Sequence, residues 1–324
     1  MTEQGPVFVG GLDRTGTSLM YALLASHPSI AMTRRTNWWT YFHGRFGDLA
    51  DDANLDRLLD TMMRYRRHRK LEPDRERLRR EFREGSPEYA RLFALLESHH
   101  AERLGRHRWG DKSLHTERSA DTVFAEFPDA HLIHMVRDPR DRYSSVIKRW
   151  KKVRGGVGSG TAAWLASIRL GEHNSERYPD RYRMVRYEDL AARPEETMRA
   201  VCEFIGEPYV PQILEMRGAD TFREAGNSSY GQIPEGTIST KSIGRYRAVM
   251  RPEEIAFVEG RAGREMRAHD YELDRPTVNR LRYAAMDYPA NLAKLLGWQV
   301  RERLYDLTGR DPQAHNMVQQ DLAS

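Results

Sequence analysis

The chain has 324 residues, 39% of them apolar, with a formal charge of +5 and one cysteine, Cys202. That length holds a sizeable core in one large domain or two small ones, and a lone cysteine excludes an internal disulfide and a cysteine-rich metal site. No apolar run reaches the ~18 residues of a bilayer span, and no basic segment followed by an apolar stretch opens the chain, so a cytoplasmic protein is expected.

Pro6 to Leu12 (PVFVGGL) is a short apolar run ending in glycines, the pattern of a buried strand entering a loop. Thr17 to Ser26 has helical periodicity, which His27-Pro28 ends. Ile30 to Thr33 reads as a second strand. From Asp48 to about Arg106 the chain is rich in arginine, leucine and glutamate, and breaks near Pro73 and near Gly85 to Pro87 predict two or three helices. Within them, Arg64, Arg66, Arg67, Arg69 and Lys70 read as a solvated basic face that also suits an acidic ligand or a membrane surface. His99 and His100 read as solvated, because adjacent positions do not share a helix face.

Ala130 to Arg137 is the clearest strand, and Asp138 to Lys152 follows as a helix with a basic face. Asp138, Arg140 and Asp141 are expected as capping and surface charges. Gly155 to Gly160 (GGVGSG) reads as a flexible loop, Thr161 to Arg177 as a helix, Tyr182 to Tyr187 as a strand and Pro194 to Ile205 as a helix that buries Cys202. Gly226 to Gly244 is rich in glycine, serine and proline and reads as loop. Arg280 to Tyr305 mixes apolar and basic residues and suits packing on the domain, pairing of subunits in a homodimer, or peripheral membrane contact. Strands alternating with helices predict a single α/β domain over 1–324, with a central parallel sheet and helices on both faces. We place a helical insertion on the acceptor side at about 40–108 and a C-terminal helical extension at about 276–324. The ligand crevice is expected at the carboxyl ends of the strands.

The segment Val7 to Ser18 (VFVGGLDRTGTS) carries the chemistry. Gly11 and Gly16 have the G-x-x-x-x-G spacing of a phosphate loop, in which backbone N–H groups and a helix N-terminus meet phosphate oxygens. A nucleotide-triphosphate P-loop has lysine after the last glycine. Here that place is Thr17, and the positive charge sits inside the loop at Arg14. The core Arg14-Thr15-Gly16-Thr17-Ser18 resembles the R-[ST]-G-T-[ST] phosphosulfate loop of sulfotransferases that use 3′-phosphoadenosine-5′-phosphosulfate (PAPS). Val136 to Val146 (VRDPRDRYSSV) is similar to the 3′-phosphate motif of that family, with Arg137 at a strand end and Ser145 eight residues on. Val185 to Leu190 resembles the segment whose tyrosine, here Tyr187, lies by the adenine. Ser239 to Arg247 resembles the family's basic closing loop, which brings in Lys241 and Arg245. Trp109 to Ser113 (WGDKS) resembles the segment whose lysine, here Lys112, reaches the transferred group.

The resemblance implies a P-loop-like sulfotransferase fold and transfer of a sulfuryl group from PAPS to a hydroxyl or amine, releasing 3′,5′-bisphosphoadenosine (PAP). Arg14 and Lys112 would carry the negative charge of the transition state, with no metal required. Relatives carry a glutamate after the second strand as base, but Thr33 to Trp39 (TRRTNWW) contains no acid. Asp13, Asp111 and His115 are the candidates for the base, with His115 ranked first because imidazole titrates near neutrality. Trp38, Trp39, Tyr41 and Phe42 serve either as acceptor-pocket walls or as core. The acceptor is expected to be a small molecule, glycan, lipid or carrier-bound group, not nucleic acid. A P-loop-type small-molecule kinase and a non-catalytic nucleotide binder are the alternative readings.

Overall fold

The computed structural model describes residues 4–149, 156–227 and 234–308, together with 318, 319 and 322. Its centre is a five-stranded parallel sheet in the order β2-β3-β1-β4-β5, where β1 is Val7–Gly11, β2 Ile30–Arg34, β3 Arg108–Lys112, β4 His131–Val136 and β5 Tyr182–Arg186. All five residues of β1 are buried, as expected of a central strand with helices on both faces. The chain leaves β1 towards β2 on one side and later reaches β4 on the other. The carboxyl end of β1 is therefore where the strand order reverses, the usual place for a ligand in such a sheet.

One face is covered by α1 (Thr17–Ala25), which packs on Val7, Val9, Met32 and Met135. Four helices lie between β2 and β3: α2 (Asp52–Arg64), the single turn α3 (Arg66–Arg69), α4 (Arg75–Arg83) and α5 (Tyr89–Arg103). With α6 (Ala120–Glu126) they bury an aromatic core on the opposite face, around Phe8, Trp38, Phe93 and Trp109. After β4 come α7 (Pro139–Arg149) and α8 (Gly156–Arg177). After β5 come α9 (Tyr187–Ala192), α10 (Pro194–Ile205), whose Cys202 is buried, and the short α11 (Asp220–Ala225). Then α12 (Pro252–Ala268), the single turn α13 (Arg280–Arg282) and α14 (Tyr288–Thr308) close the described chain. Leu296, Val300 and Leu304, four residues apart on α14, are each half exposed or more.

Several expectations change. The sequence reading gave Trp109 to Ser113 no strand, yet Arg108–Lys112 is β3, between β2 and β1 and wholly buried. Its charged residues hid it, because a buried strand is recognised by an apolar run. Arg108 is fully buried because its guanidinium donates to the carbonyls of Gly5 (2.7 Å) and Ile205 (2.6 Å) and pairs with Glu207 at 3.1 Å.

The expected flexible loop at Gly155 to Gly160 is corrected as well. Gly155 lies outside the described residues, as do Trp150 to Lys152 of the preceding helix, but 156–160 form the first turns of α8. The glycines there serve close packing. Ser159 Oγ donates to the Lys294 carbonyl at 3.1 Å, and a Cβ on Gly158 would overlap the carbonyl of Asn291 on α14. Part of the loop at Gly226 to Gly244, residues 228–233, also lies outside the described residues, as do most positions after Thr308.

His99 is buried, not solvated, and contacts Glu81 Oε2 through Nε2 at 2.7 Å. Asp138, Arg140 and Asp141 are buried, not surface charges. Arg140 pairs with Asp138 at 2.6 Å and with Glu259 at 2.5 Å, which docks α12 on α7. Asp138 still caps, accepting from the Arg140 backbone N–H at 2.8 Å.

The packing of α8 on α14 can be tested with two glycines. Gly158→Ala has no room for its Cβ, so it should cost about 1–3 kcal/mol. Gly260→Ala on α12 meets nothing within 4 Å and should stabilise by about 0.4–1 kcal/mol. Chemical denaturation of both variants checks the pair, and equal effects would contradict the docking of α14.

Candidate active site

The loop after β1 is held in an unusual shape. Gly11 and Gly16 have φ of 122° and 97°, where side chains are strained, and a Cβ on Gly16 would lie 2.5 Å from the Tyr187 ring. Arg14 has φ of 66°, a conformation that a non-glycine residue adopts only when its surroundings impose it. Here its carbonyl accepts from Arg137 Nη1 at 3.2 Å and its own Nε donates to Ser145 Oγ at 2.9 Å. Thr15 is buried, and its hydroxyl donates to the Leu12 carbonyl at 2.7 Å, closing the loop on itself. Thr17 and Ser18 begin α1. No side chain caps this helix, which leaves the N–H groups of its first turn for an anion.

Arg137 leaves the end of β4 and is buried. Its Nη2 donates to the Ser242 carbonyl at 2.8 Å, and its guanidinium lies 4.3 Å from the centroid of Tyr187. Asp141 on α7 accepts from the backbone N–H groups of Gly244 (2.6 Å) and Tyr246 (2.9 Å). These contacts bring the 239–247 segment, with the exposed Lys241 and Arg245, against a strand end about a hundred residues earlier in the chain. Tyr187 is itself buried, with one ring face on Arg137 and its hydroxyl accepting from Asn227 Nδ2 at 3.2 Å.

Burial, followed by repulsion from Arg137, pushes the Arg14 pKa down. A buried and a half-buried cation held side by side form a site that an anion would relieve. The Arg137 Nε is buried without a hydrogen-bond partner, which suits a ligand rich in acceptor oxygens such as a phosphate.

Lys112 ends β3 and is 4% exposed. Burial, then the charge of Arg35, pushes its pKa down to about 7, with Asp111 opposing and Arg34 and Arg67 adding to the fall. Arg34 stands beside Lys112 in the strand register, and the Arg35 N–H donates to the Lys112 carbonyl at 2.9 Å. The basic run at α3 is drawn in by Tyr65 and His68. Tyr65 OH donates to the Arg35 carbonyl (2.8 Å) and accepts from Asn37 Nδ2 (2.9 Å), and His68 Nε2 meets the Thr36 carbonyl at 3.2 Å. Trp38, Trp39 and Phe42 are buried core, with Trp38 stacked on Phe93 at 4.8 Å. Tyr41 remains half-buried at the edge.

The three candidates for the base are separated by their surroundings. Asp13 is paired with Arg142. Asp111 alternates with Lys112 along β3 and so projects to the opposite sheet face. It is fully buried there, accepting from Thr33 Oγ1 at 3.1 Å, while the same hydroxyl meets Glu97 Oε1 at 3.0 Å. Burial raises the pKa of both carboxyls, and that of Glu97 is raised further by Asp111. His115 has φ of 65°, and its side chain is 18% exposed, with Nδ1 lying 3.8 Å from Glu117 Oε1.

The sequence reading missed Glu97 and Glu117. Glu97 falls on the apolar stripe of α5 with Phe93 and Leu96, and a charged residue at a core position is a visible signal. Glu117 gave none, because its importance lies in contact with Gly11, 106 positions away.

Residues 6–211 match the model of the sulfotransferase family. Over 222 residues the chain is 27% identical to a protein-tyrosine sulfotransferase of Drosophila melanogaster, a match covering 65% of this chain and 40% of that protein's length. It is 28% identical to human carbohydrate sulfotransferase 3 over 45% of this chain and 34% of the relative. In fold it resembles the sulfotransferase domain of the curacin biosynthetic pathway (TM-score 0.54, 17% identity, 84% of this chain and all of that one). It also resembles that of the Synechococcus PCC 7002 olefin synthase (TM-score 0.56, 19% identity, 84% and 97% covered). With a family match over most of the sheet and the phosphate loop at its centre, this chain belongs to the sulfotransferase family.

Proposed function

We propose that the protein transfers a sulfuryl group from PAPS to a hydroxyl or amine acceptor by in-line displacement, releasing PAP. The observation that carries this reading is the convergence of the half-buried Arg14 and the buried Arg137 at the ends of β1 and β4, with Lys112 at the end of the adjacent β3. Arg137, Ser145 and the 239–247 loop with Lys241 and Arg245 would hold the 3′-phosphate, and Tyr187 would lie by the adenine. Arg14 and the N–H groups of Gly16, Thr17 and Ser18 would hold the 5′-phosphosulfate, with Thr15 keeping the loop closed. The acceptor oxygen bonds to sulfur as the bridging oxygen–sulfur bond breaks, and the electron pair stays on the 5′-phosphate. Lys112 and Arg14 would stabilise that charge, and His115 would take the acceptor's proton.

The relatives' names cover a tyrosyl protein and a carbohydrate as acceptors. For this chain the acceptor would be a hydroxyl or amine near Lys112, where Arg35, Arg34 and Arg67 lie close enough to lower the lysine's pKa. The half-exposed face of Leu296, Val300 and Leu304 is where membrane contact or pairing of subunits would fall. A cytosolic location, where PAPS is made, belongs to the same reading. No helix among the described residues is long and apolar enough to cross a membrane.

Cofactor choice is tested by thermal melting. PAP should raise the melting temperature, and AMP, which lacks the 3′-phosphate, should raise it much less. Arg137→Ala should abolish that difference, whereas equal shifts in the unaltered protein would overturn the 3′-phosphate site. Labelled PAPS offered with a tyrosine-containing peptide, 4-nitrophenol and a disaccharide separates an enzyme from a non-catalytic binder. EDTA should leave turnover intact, and metal dependence would favour the kinase reading.

The Lys112 ammonium should govern the alkaline side of the reaction. It is charged below about pH 7 and neutral above, so kcat/KM for PAPS should fall as pH rises through about 7. In the bound state the anionic donor favours the ammonium, and the fall in kcat should come at higher pH. Lys112→Arg, which stays charged, should flatten that fall, and Lys112→Ala should cost about 10²-fold or more in turnover. Unchanged turnover in Lys112→Ala would remove its catalytic role.

A further inference from the structure

Beneath the phosphate loop, the 115–117 segment grips Gly11 from both sides. The His115 N–H donates to the Gly11 carbonyl at 3.3 Å, and Glu117 Oε2 accepts the Gly11 N–H at 2.7 Å. A Cβ on Gly10 would lie 2.7 Å from the same oxygen. The other oxygen, Oε1, faces His115 Nδ1 at 3.8 Å, and that nitrogen is buried without a hydrogen-bond partner. Solvent therefore reaches the imidazole on a side other than Nδ1.

We infer that Glu117 is a positioning residue that holds His115 with its proton on Nδ1 and so leaves Nε2 free to take the acceptor's proton. This rests on the sulfuryl-transfer reading above and adds to it the device that orients the base. The Glu117 side chain is 1% exposed. Burial by itself would raise its pKa, but the imidazoles of His134 and His115 and the N–H groups of Glu117 and Gly11 outweigh burial and hold it below the usual carboxylate value. An ionised carboxylate only accepts hydrogen bonds, so the ring nitrogen facing it carries hydrogen.

His134 does not compete for that role. Its two ring nitrogens are engaged by Tyr182 OH at 2.7 Å and Ser167 Oγ at 2.9 Å. Asn174 Nδ2 donates to the Glu117 carbonyl at 3.0 Å, which fixes the backbone that carries the carboxylate. A separation of 3.8 Å is a contact that a small ring rotation tightens, as happens when a catalytic site takes its ligands. In the transfer step, the acceptor's O–H proton moves to Nε2 as the oxygen–sulfur bond forms. The bridging bond breaks with its electron pair on the 5′-phosphate, and the carboxylate faces the resulting imidazolium. The same carboxylate thus sets the first residue of the phosphate loop and the orientation of the base.

Glu117→Gln tests this with little change of shape. The amide oxygen can still accept the Gly11 N–H, but the amide NH₂ then faces Nδ1 and donates to it, which moves the ring proton to Nε2. Nitrogen-15 NMR of the His115 ring in the free protein should show Nδ1–H in the unaltered chain and Nε2–H in Glu117→Gln. With whichever acceptor of the panel above turns over fastest, kcat should fall about 10²-fold or more. PAP affinity, KM for PAPS and melting temperature should stay within about twofold or a few degrees. The double variant with His115→Asn should be no slower than His115→Asn alone, because the two residues act as a unit.

Unchanged kcat in Glu117→Gln, multiplicative losses in the double variant, or Nε2–H in the unaltered chain would each overturn the inference. The ring measurement needs neither PAPS nor acceptor, and it stands even where Glu117→Gln folds poorly. An unaltered chain that shows Nδ1–H but transfers nothing would overturn the sulfuryl-transfer reading while leaving the histidine–carboxylate coupling in place.

Discussion

Two guanidinium groups, the half-buried Arg14 and the buried Arg137, meet at the carboxyl ends of β1 and β4, and much of the surrounding structure keeps them there. Like charges in a low-dielectric interior repel and lose hydration. The fold offsets that cost in part with backbone carbonyls, the Ser145 hydroxyl and the face of Tyr187. Asp141, the nearby buried acid, spends its oxygens on the backbone of the closing loop.

The acids that the core does contain are held on other business. Asp13 is paired with Arg142, and Arg140 takes Asp138 and Glu259. Asp111 and Glu97 share the Thr33 hydroxyl on the far sheet face. Alternation along β3 separates that pair from Lys112, so one strand carries a buried carboxyl cluster on one side and the depressed lysine on the other. The low pKa of Lys112 follows from the same arrangement. Burial and the arginines Arg35, Arg34 and Arg67 act together, and the opposing carboxylate, Asp111, projects to the other face.

Tight helix packing frames the site from behind. The glycine-rich start of α8 touches the backbone of α14, and α8 in turn covers β5 and carries Trp164, whose Nε1 donates to the Arg137 carbonyl at 2.8 Å. The C-terminal helix is thereby linked, through α8, to the strand end that carries the arginine. The same glycines would read as a hinge if only their backbone freedom were considered. In contact with another helix they act through their missing side chains.

By itself the sequence determined the parallel α/β plan, the glycine loop with arginine in place of the P-loop lysine, and the eight-residue spacing of Arg137 and Ser145. These signals are local, since each rests on residues within a dozen positions and on the period of apolar residues. Only the tertiary structure decided what depends on distant contacts. It made a strand of Arg108–Lys112, because the partners of Arg108 come from Gly5, Ile205 and Glu207. It made a helix of Gly156 to Gly160, because α14 lies against it. It turned Asp111 away from the loop and set Glu117 under Gly11, placements that depend on which strands are neighbours and which face each residue takes. Strand order and facing arise from burying the whole chain at once, and no short stretch of residues records them.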